Sequence, residues 1–210
     1  MAKLKPIRLL VVDDHHVVRS GLAASLGLED DLQVVGEADS GATVSALARK
    51  LRPDVVLMDL RMPGGNGIEA TAALRADLPE ARVLMFTTFD GDEEIYRAMQ
   101  AGARGYLLKS APREELLAAI RAVAAGERYL PAALAQRLAG RIGTPDVSDR
   151  EIEVLRLIAR GKANKEIAVA LGISDETVKR HVSNLFVKMG VADRAQATSE
   201  GIRRGLIQLD

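Results

Sequence analysis

Along residues 7–125, short apolar runs rich in β-branched residues alternate with Ala- and Leu-rich stretches of helical period, the pattern of a parallel sheet covered by helices. Five runs, Ile7 to Val12, Leu32 to Ala38, Val55 to Met58, Arg82 to Phe86 and Gly105 to Leu108, are apolar at nearly every position, as strands buried on both faces are. Between them the period predicts helices from about His16 to Leu26, Ala42 to Leu51, Gly67 to Leu78, Asp92 to Ala101 and Pro112 to Ala125, with Pro112 suited to a first helical turn. The predicted architecture is a doubly wound α/β domain on a five-stranded parallel sheet.

After Gly126 the strand signals stop. The segment GERYLPAALAQRLAGRIGTPDVSD holds Pro131, Pro145 and several glycines around one short helical stretch, which reads as a linker. Its Tyr129, Leu130, Leu134 and Leu138 could instead pack on a neighbouring domain. From Ser148 the pattern is wholly helical, in stretches of roughly 11, 8, 15 and 10 residues separated by Gly161, by Gly172-Ile173-Ser174 and by Gly190-Val191. The expected organisation is an α/β domain over residues 1–126, a linker over 127–145 and a smaller all-α domain over 146–210.

Composition narrows the function classes mainly by exclusion. The chain holds 29 Lys and Arg against 29 Asp and Glu, so no global field presses it onto a polyanion, and any such contact must be a local patch. Residues 146–210 carry 11 basic against 10 acidic residues, so charge does not separate the two domains' tasks either. The absence of cysteine excludes disulfides, thiolate metal sites and cysteine nucleophiles, and it suits a reducing compartment. No apolar run approaches the roughly 18–20 residues of a membrane helix, and the first residues develop no signal-peptide pattern. The expectation is a cytoplasmic protein without a membrane partner.

Candidate chemistry collects where the strands end. In an open parallel sheet, ligands bind outside the carboxyl ends of the strands. Here the first strand ends in Asp13-Asp14, the third in Asp59, the fourth in Thr87-Thr88 and the fifth in Lys109. Each alone is an ordinary loop residue. Jointly, three converging carboxylates repel one another unless a cation joins them, and all-oxygen ligation suits Mg²⁺; with the hydroxyl and the Lys, the implied ligand is a metal with a phosphate. His15 and His16 beside the acid pair read as loop or helix-start residues in preference to ligands. A rival pattern, Gly65-Asn66-Gly67-Ile68-Glu69-Ala70, matches G-x-G-x-x-A literally with Asp90 about 20 residues on. A dinucleotide fingerprint needs its glycine at the strand end, yet Asp59 through Gly64 intervene, so these glycines are read as turning the chain back over Asp59.

In the all-α domain, residues 164–190 have helix-turn-helix spacing, with Gly172 in the turn and an N-cap at Ser174 or Asp175. With Val178 at 0°, an ideal helix places Val182, Leu185, Phe186 and Met189 within roughly 80° of it, and Lys179, Arg180, Ser183, Asn184 and Val187 at about 100–240°. Residues 177–189 hold no Asp or Glu. The second face offers side chains that bond base edges or phosphates, although on charge pattern alone an ordinary amphipathic helix with a solvated polar face is the better reading.

Residues 7–125 resemble the receiver domain of two-component response regulators, through VVDD at 11–14, VLMDLRMPGGNG at 56–67, MFTT at 85–88 and GYLLKS at 105–110. The resemblance implies a flavodoxin-like fold in which Asp59 accepts a phosphoryl group from a sensor histidine kinase. It makes Asp14 a direct Mg²⁺ ligand, with Asp13 acting mainly through bound water and the Arg61 carbonyl completing the protein's share. Thr87 and Lys109 would bind phosphoryl oxygens, and Tyr106 would turn into space vacated by Thr87. Ser110 stands where many receivers carry a cis proline. The segment from Ser148 to Thr198 resembles the LuxR-type DNA-binding domain of the NarL/FixJ group, through VSDREIEVL at 147–155, NKEIA at 164–168, TVKRHVSNLFVKMGV at 177–191 and DRAQA at 193–197. By that resemblance Lys179, Arg180 and Ser183 face bases, while Thr177, His181, Asn184 and Lys188 position phosphates. Two copies would pair through the last helix, about Ala192 to Arg204. The whole is similar to a non-enzymatic, phosphorylation-controlled transcription factor that dimerises and binds promoter DNA. The alternatives are a receiver whose output is protein binding and, last, a nucleotide-dependent or aspartyl-phosphate enzyme.

Overall fold

The computed structural model describes residues 5–63, 65–141 and 146–207. Gly64, Pro145 and the rest of linker positions 142–145 lie outside the described residues. Two compact units result, one built on a parallel sheet and one wholly helical.

In the first unit the elements are β1 (Ile7–Val12), α1 (His16–Leu26), β2 (Leu32–Ala38), a 3₁₀ turn (Gly41–Thr43), α2 (Val44–Leu51), β3 (Val55–Met58), β4 (Arg61–Met62), β5 (Gly65–Asn66), α3 (Gly67–Asp77), β6 (Arg82–Thr87), α4 (Asp92–Ala101), β7 (Gly105–Leu108) and α5 (Arg113–Ala124). The sheet order is β2-β1-β3-β6-β7, all parallel. It is the five-stranded doubly wound sheet that the apolar runs predict. Leu9, Val11, Leu57, Leu84, Phe86 and Leu107 form one core with Leu26, Leu116, Ile120 and Val123 from the helices. Alternate residues Leu10, Val12, Val56, Met58 and Met85 are equally buried on the other side of the strands, which is why the strands read as unbroken apolar runs.

Several details differ from the periodic reading: α5 begins at Arg113, with Pro112 outside it at the N-cap position, and α3 ends at Asp77. Residues 41–43 form a 3₁₀ turn before α2 begins at Val44, and β6 extends through Thr87. A two-residue antiparallel pair, β4 with β5, joins Arg61 to Asn66 and Met62 to Gly65. Within the stretch read as linker, Tyr129 pairs with the sheet edge: the Tyr106 amide donates to its carbonyl and its own amide donates to the Arg104 carbonyl, both at 3.0 Å. A helix α6 (Ala132–Arg141) follows.

The second unit comprises α7 (Asp149–Ala159), α8 (Asn164–Leu171), α9 (Asp175–Met189) and α10 (Arg194–Arg203). Their lengths match the four helical stretches of the sequence. Ile152, Leu155, Ile158, Ile167, Val178, Leu185, Met189 and Ala197 supply the core. Gly172 ends α8 at φ 64°, a left-handed conformation that glycine adopts without a Cβ penalty and that turns the chain into α9.

Candidate phosphoacceptor pocket and nucleic-acid interface

Parallel register brings the strand ends level. Val12 pairs with Ala38 and Met58, Met58 with Met85, and Thr87 with Leu108. The backbone ladder then runs one residue further: Asp13 N donates to Ala38 O at 3.1 Å, Asp59 N to Val12 O at 2.9 Å and Lys109 N to Thr87 O at 2.8 Å. The polar side chains therefore start from sheet-fixed backbone instead of free loop. Asp13 is 2% exposed and Asp59 5%, and the Lys109 ammonium bridges them at 2.5 and 2.7 Å. Burial pushes the Lys109 pKa down, but its hydrogen bonds to Asp13 and Asp59 outweigh this and hold it above the usual lysine range.

The remaining acceptors are mostly committed. Asp59 Oδ1 accepts from Leu60 N at 2.7 Å and Asp13 Oδ1 from His15 N at 2.9 Å. Asp14 Oδ1 is buried and makes no hydrogen bond, with His15 Nδ1 2.8 Å away in ion-pair range. An orphaned carboxylate oxygen is costly unless something cationic reaches it. Asp13, Asp14, His15 and Asp59 each offer a donor atom, all within 4.8 Å of one another. Three carboxylates against one ammonium leave a formal charge of about −2 when all are ionised, so the pocket is an acidic one compatible with Mg²⁺.

The loop over the pocket is anchored twice. Gly67 N donates to Leu60 O at 2.8 Å, and a Cβ at Gly67 would fall 2.0 Å from the Asp59 carbonyl oxygen. Only glycine lets α3 begin this close to the acid. On the opposite rim, Thr87 is fully buried and its Oγ1 accepts from Phe89 N at 3.4 Å. The Tyr106 ring is also fully buried, with its hydroxyl donating to Phe89 O at 2.7 Å. The Arg61 guanidinium stacks 4.1 Å from the Phe89 ring centroid.

In the helical unit, Ser174 caps α9 by accepting from Thr177 N at 3.1 Å, resolving the Ser174-or-Asp175 alternative. Val178, Leu185 and Met189 are buried, while Lys179, Arg180, Ser183, Asn184 and Val187 are exposed, as the helical projection requires. Val187 is 78% exposed.

A response regulator receiver domain model matches residues 9–121, and a model of bacterial regulatory proteins of the luxR family matches residues 146–200. The chain belongs to the LuxR-type response regulators. It is 41% identical over 207 residues to the response regulator protein VraR of Staphylococcus aureus, covering 96% of this chain and 99% of that protein. Among solved structures, the response regulator ChrA of a heme-sensing two-component system shares 39% identity at TM-score 0.57, covering 97% of this chain and all of that one. The response regulator RcsB in complex with DNA shares 26% identity at TM-score 0.68, covering 93% and 98% of the two chains.

Within this response regulator, the structure gathers Asp13, Asp14, Asp59 and Lys109 into one cluster and links Thr87 to Tyr106 through the Phe89 backbone. Phe89 was not among the sequence candidates, because its backbone groups carry no residue signature. Lys109 and Ser110 are joined by a trans peptide; no cis bond occurs among the described residues.

On α9 the expected contacts divide. Arg180, Ser183 and Asn184 stand on the open face. Lys179 is exposed there too, but its ammonium reaches Asp175 at 3.1 Å and Glu176 at 3.8 Å, and the Asp175 hydrogen bond raises its pKa. Thr177 Oγ1 is 2.8 Å from Ser174 Oγ, and His181 is half-buried. Lys188, expected at a phosphate, has a different structural partner: its ammonium is 2.7 Å from Glu151 Oε2. Glu151, 3% exposed, also accepts from Ser148 N and Oγ at 2.8 and 2.9 Å in the capping box of α7. Burial raises the Glu151 pKa, but Lys188 and Ser148 outweigh that and hold it below the usual carboxylate range.

Proposed function

We propose that phosphorylation of Asp59 by a sensor histidine kinase controls dimerisation of this chain and its sequence-specific binding to promoter DNA, and so transcription. The observation that carries the reading is the sheet-fixed meeting of Asp13, Asp59 and Lys109 beside an Asp14 oxygen that makes no hydrogen bond. The Asp59 carboxylate attacks the phosphorus of a phosphohistidine; the P–N bond breaks as the P–O bond forms, and the imidazole takes a proton. Lys109 leaves its carboxylate partners to pair with a phosphoryl oxygen, and the Thr87 hydroxyl donates to another. Mg²⁺, held by Asp13, Asp14, Asp59 and the Arg61 carbonyl, would neutralise negative charge on the transferring oxygens.

When the Thr87 hydroxyl turns to the phosphoryl group, its bond from Phe89 N breaks, and the Phe89 carbonyl that holds the Tyr106 hydroxyl is freed to move. This gives a two-state element biased by charge at one end. On the output side, Lys179, Arg180 and Ser183 read base edges, with Thr177, His181 and Asn184 at phosphates and Lys188 acting mainly from beneath as an anchor. Pairing through α10 presents two recognition helices to an inverted repeat. The protein acts in the cytoplasm as a regulator without turnover of its own, with residues 1–126 as receiver, 127–145 as linker and 146–210 as DNA-binding domain.

Intact mass after incubation with acetyl phosphate, with and without Mg²⁺, tests the reading. A single Mg²⁺-dependent phosphoryl adduct, absent in Asp59→Asn, with a matching rise in molar mass by light scattering, is expected. No adduct under conditions that label a control receiver refutes the phospho-switch.

A further inference from the structure

We infer that Arg194 and Arg204 are positioning residues that fasten α10 to both helices of the helix-turn-helix and so fix the spacing at which two paired chains recognise their half-sites. The inference rests on the proposed pairing through α10 and names the residues that make that pairing selective.

An arginine crosses from each end of α10. At its first residue, Arg194 donates through Nη1 to Lys162 O at 2.8 Å and through Nη2 to Asn164 Oδ1, where α8 begins. Just past its last residue, Arg204 donates through Nη2 at 2.9 Å to the carbonyl of Met189, the residue that ends α9. Arg204 Nε also donates to Glu200 Oε1 at 2.6 Å, which holds the guanidinium in place from within its own helix. Between the two arginines α10 lies hard against α7: a Cβ at Gly201 would fall 2.8 Å from Leu155 Cδ2.

These fixings leave the opposite face of α10 open. With Arg194 at 0° on an ideal helix, the buried Ala197 and Gly201 fall at about 300° and 340°, and Arg204 at about 280°, so the arginines flank the buried stripe. The exposed Ala195, Ser199 and Ile202 gather at about 80–140°. A second copy seated on that face meets a helix whose orientation relative to α8 and α9 is set from two sides. The two arginines are about 15 Å apart along the helix. Losing one lets α10 pivot on the other: a tilt of about 10° moves the far end by about 2.6 Å, and two-fold symmetry doubles the relative displacement of the recognition helices to about 5 Å. Successive base pairs are about 3.4 Å apart, so even this small tilt reaches the neighbouring register.

The test is competition binding of the full chain, with acetyl phosphate and Mg²⁺, to an inverted repeat selected by wild type from a random-sequence duplex library. The same half-sites are then moved apart or together by one base pair, and a single half-site is measured beside them. Arg194→Met and Arg204→Met are compared with Arg156→Met, an exposed arginine of α7 that controls for lost charge. Wild type and Arg156→Met should favour the selected spacing by about tenfold or more, whereas Arg194→Met and Arg204→Met should fall to about threefold or less while binding the single half-site within about twofold of the control. A spacing preference unchanged in either variant, whether by no effect or by equal weakening at every site, overturns the assignment of that residue and leaves it a purely structural role. If a Met variant loses the half-site altogether, Arg194→Lys or Arg204→Lys, which keeps the charge without the fork, is held to the same ratio. Wild type that selects no inverted repeat overturns the proposed pairing on DNA, and this inference with it.

Discussion

Replacing Lys188 by Met separates a structural role for this residue from a role at a DNA phosphate. The Lys188 ammonium stands 2.7 Å from Glu151 Oε2, and Glu151 is 3% exposed. Removing one partner of a fully buried ion pair costs about 3–5 kcal/mol, because the other charge is stranded. Here the cost is smaller: the Lys188 side chain is 28% exposed, and Ser148 N and Oγ continue to satisfy the carboxylate. A single charge-assisted hydrogen bond, about 1–3 kcal/mol, is the better measure. Since α7 and α9 open together when the helical unit unfolds, amide exchange in both helices should quicken by roughly 5- to 150-fold at pH 7. The sign with pH follows from the depressed pKa of Glu151. A carboxylate stabilised in the folded state contributes above its unfolded pKa and loses that contribution as pH falls through the lower folded value. The gap between wild type and Lys188→Met should therefore be full at neutral pH and close as the medium is acidified below the ordinary carboxylate range. Each DNA phosphate that a side chain ceases to neutralise lowers the slope of log affinity against log salt by about 0.9, so a structural Lys188 leaves the DNA-binding slope unchanged. Unaltered exchange in α7 and α9 together with a slope reduced by about one would refute this reasoning.

Two further contrasts test the site and the interface. Gly67→Ala drives a Cβ into the Asp59 carbonyl, 2.0 Å away, and should cost about 1–3 kcal/mol in urea denaturation while slowing acetyl phosphate labelling; Gly21→Ala, exposed with nothing within 4 Å of the added Cβ, should instead gain up to about 1 kcal/mol. Arg180→Ala should relax base preference by about 1–3 kcal/mol at one position of the operator, whereas Lys179→Ala should cost less, because Asp175 and Glu176 already engage that ammonium; equal reductions in competition binding would contradict the assigned difference.

How much of this was legible in the sequence depends on the range of the interaction. Strands buried on both faces leave unbroken apolar runs, so β1, β2, β3 and β7 were bounded to the residue, and the four helices of the second unit were recognisable by length and glycine breaks. The 3₁₀ turn at Gly41–Thr43 was not, since Ala42 continues a helical composition. Nor was the β4–β5 pair, whose two-residue strands are too short to show a period. The acid cluster was legible because each member sits at a strand end, and parallel register turns strand ends into neighbours. The Glu151–Lys188 pair joins residues 37 apart on helices whose relative rotation no local pattern reports, so a lysine with a buried partner looked like another cation for DNA.

The equality of 29 basic and 29 acidic residues conceals two local imbalances of opposite sign. In the receiver pocket, three acids face one ammonium. On the open face of α9, Lys179 and Arg180 are the only exposed cations among the described residues, and Lys179 is partly neutralised within its own helix. A single recognition helix with one to two effective charges would release few counterions, giving a salt slope of about −0.9 to −1.8 and weak binding. Two copies on one inverted repeat double both the charge and the base contacts. On the proposed function, the scarcity of positive charge on α9 is what makes DNA affinity depend on dimerisation, and hence on the phosphorylation state of Asp59.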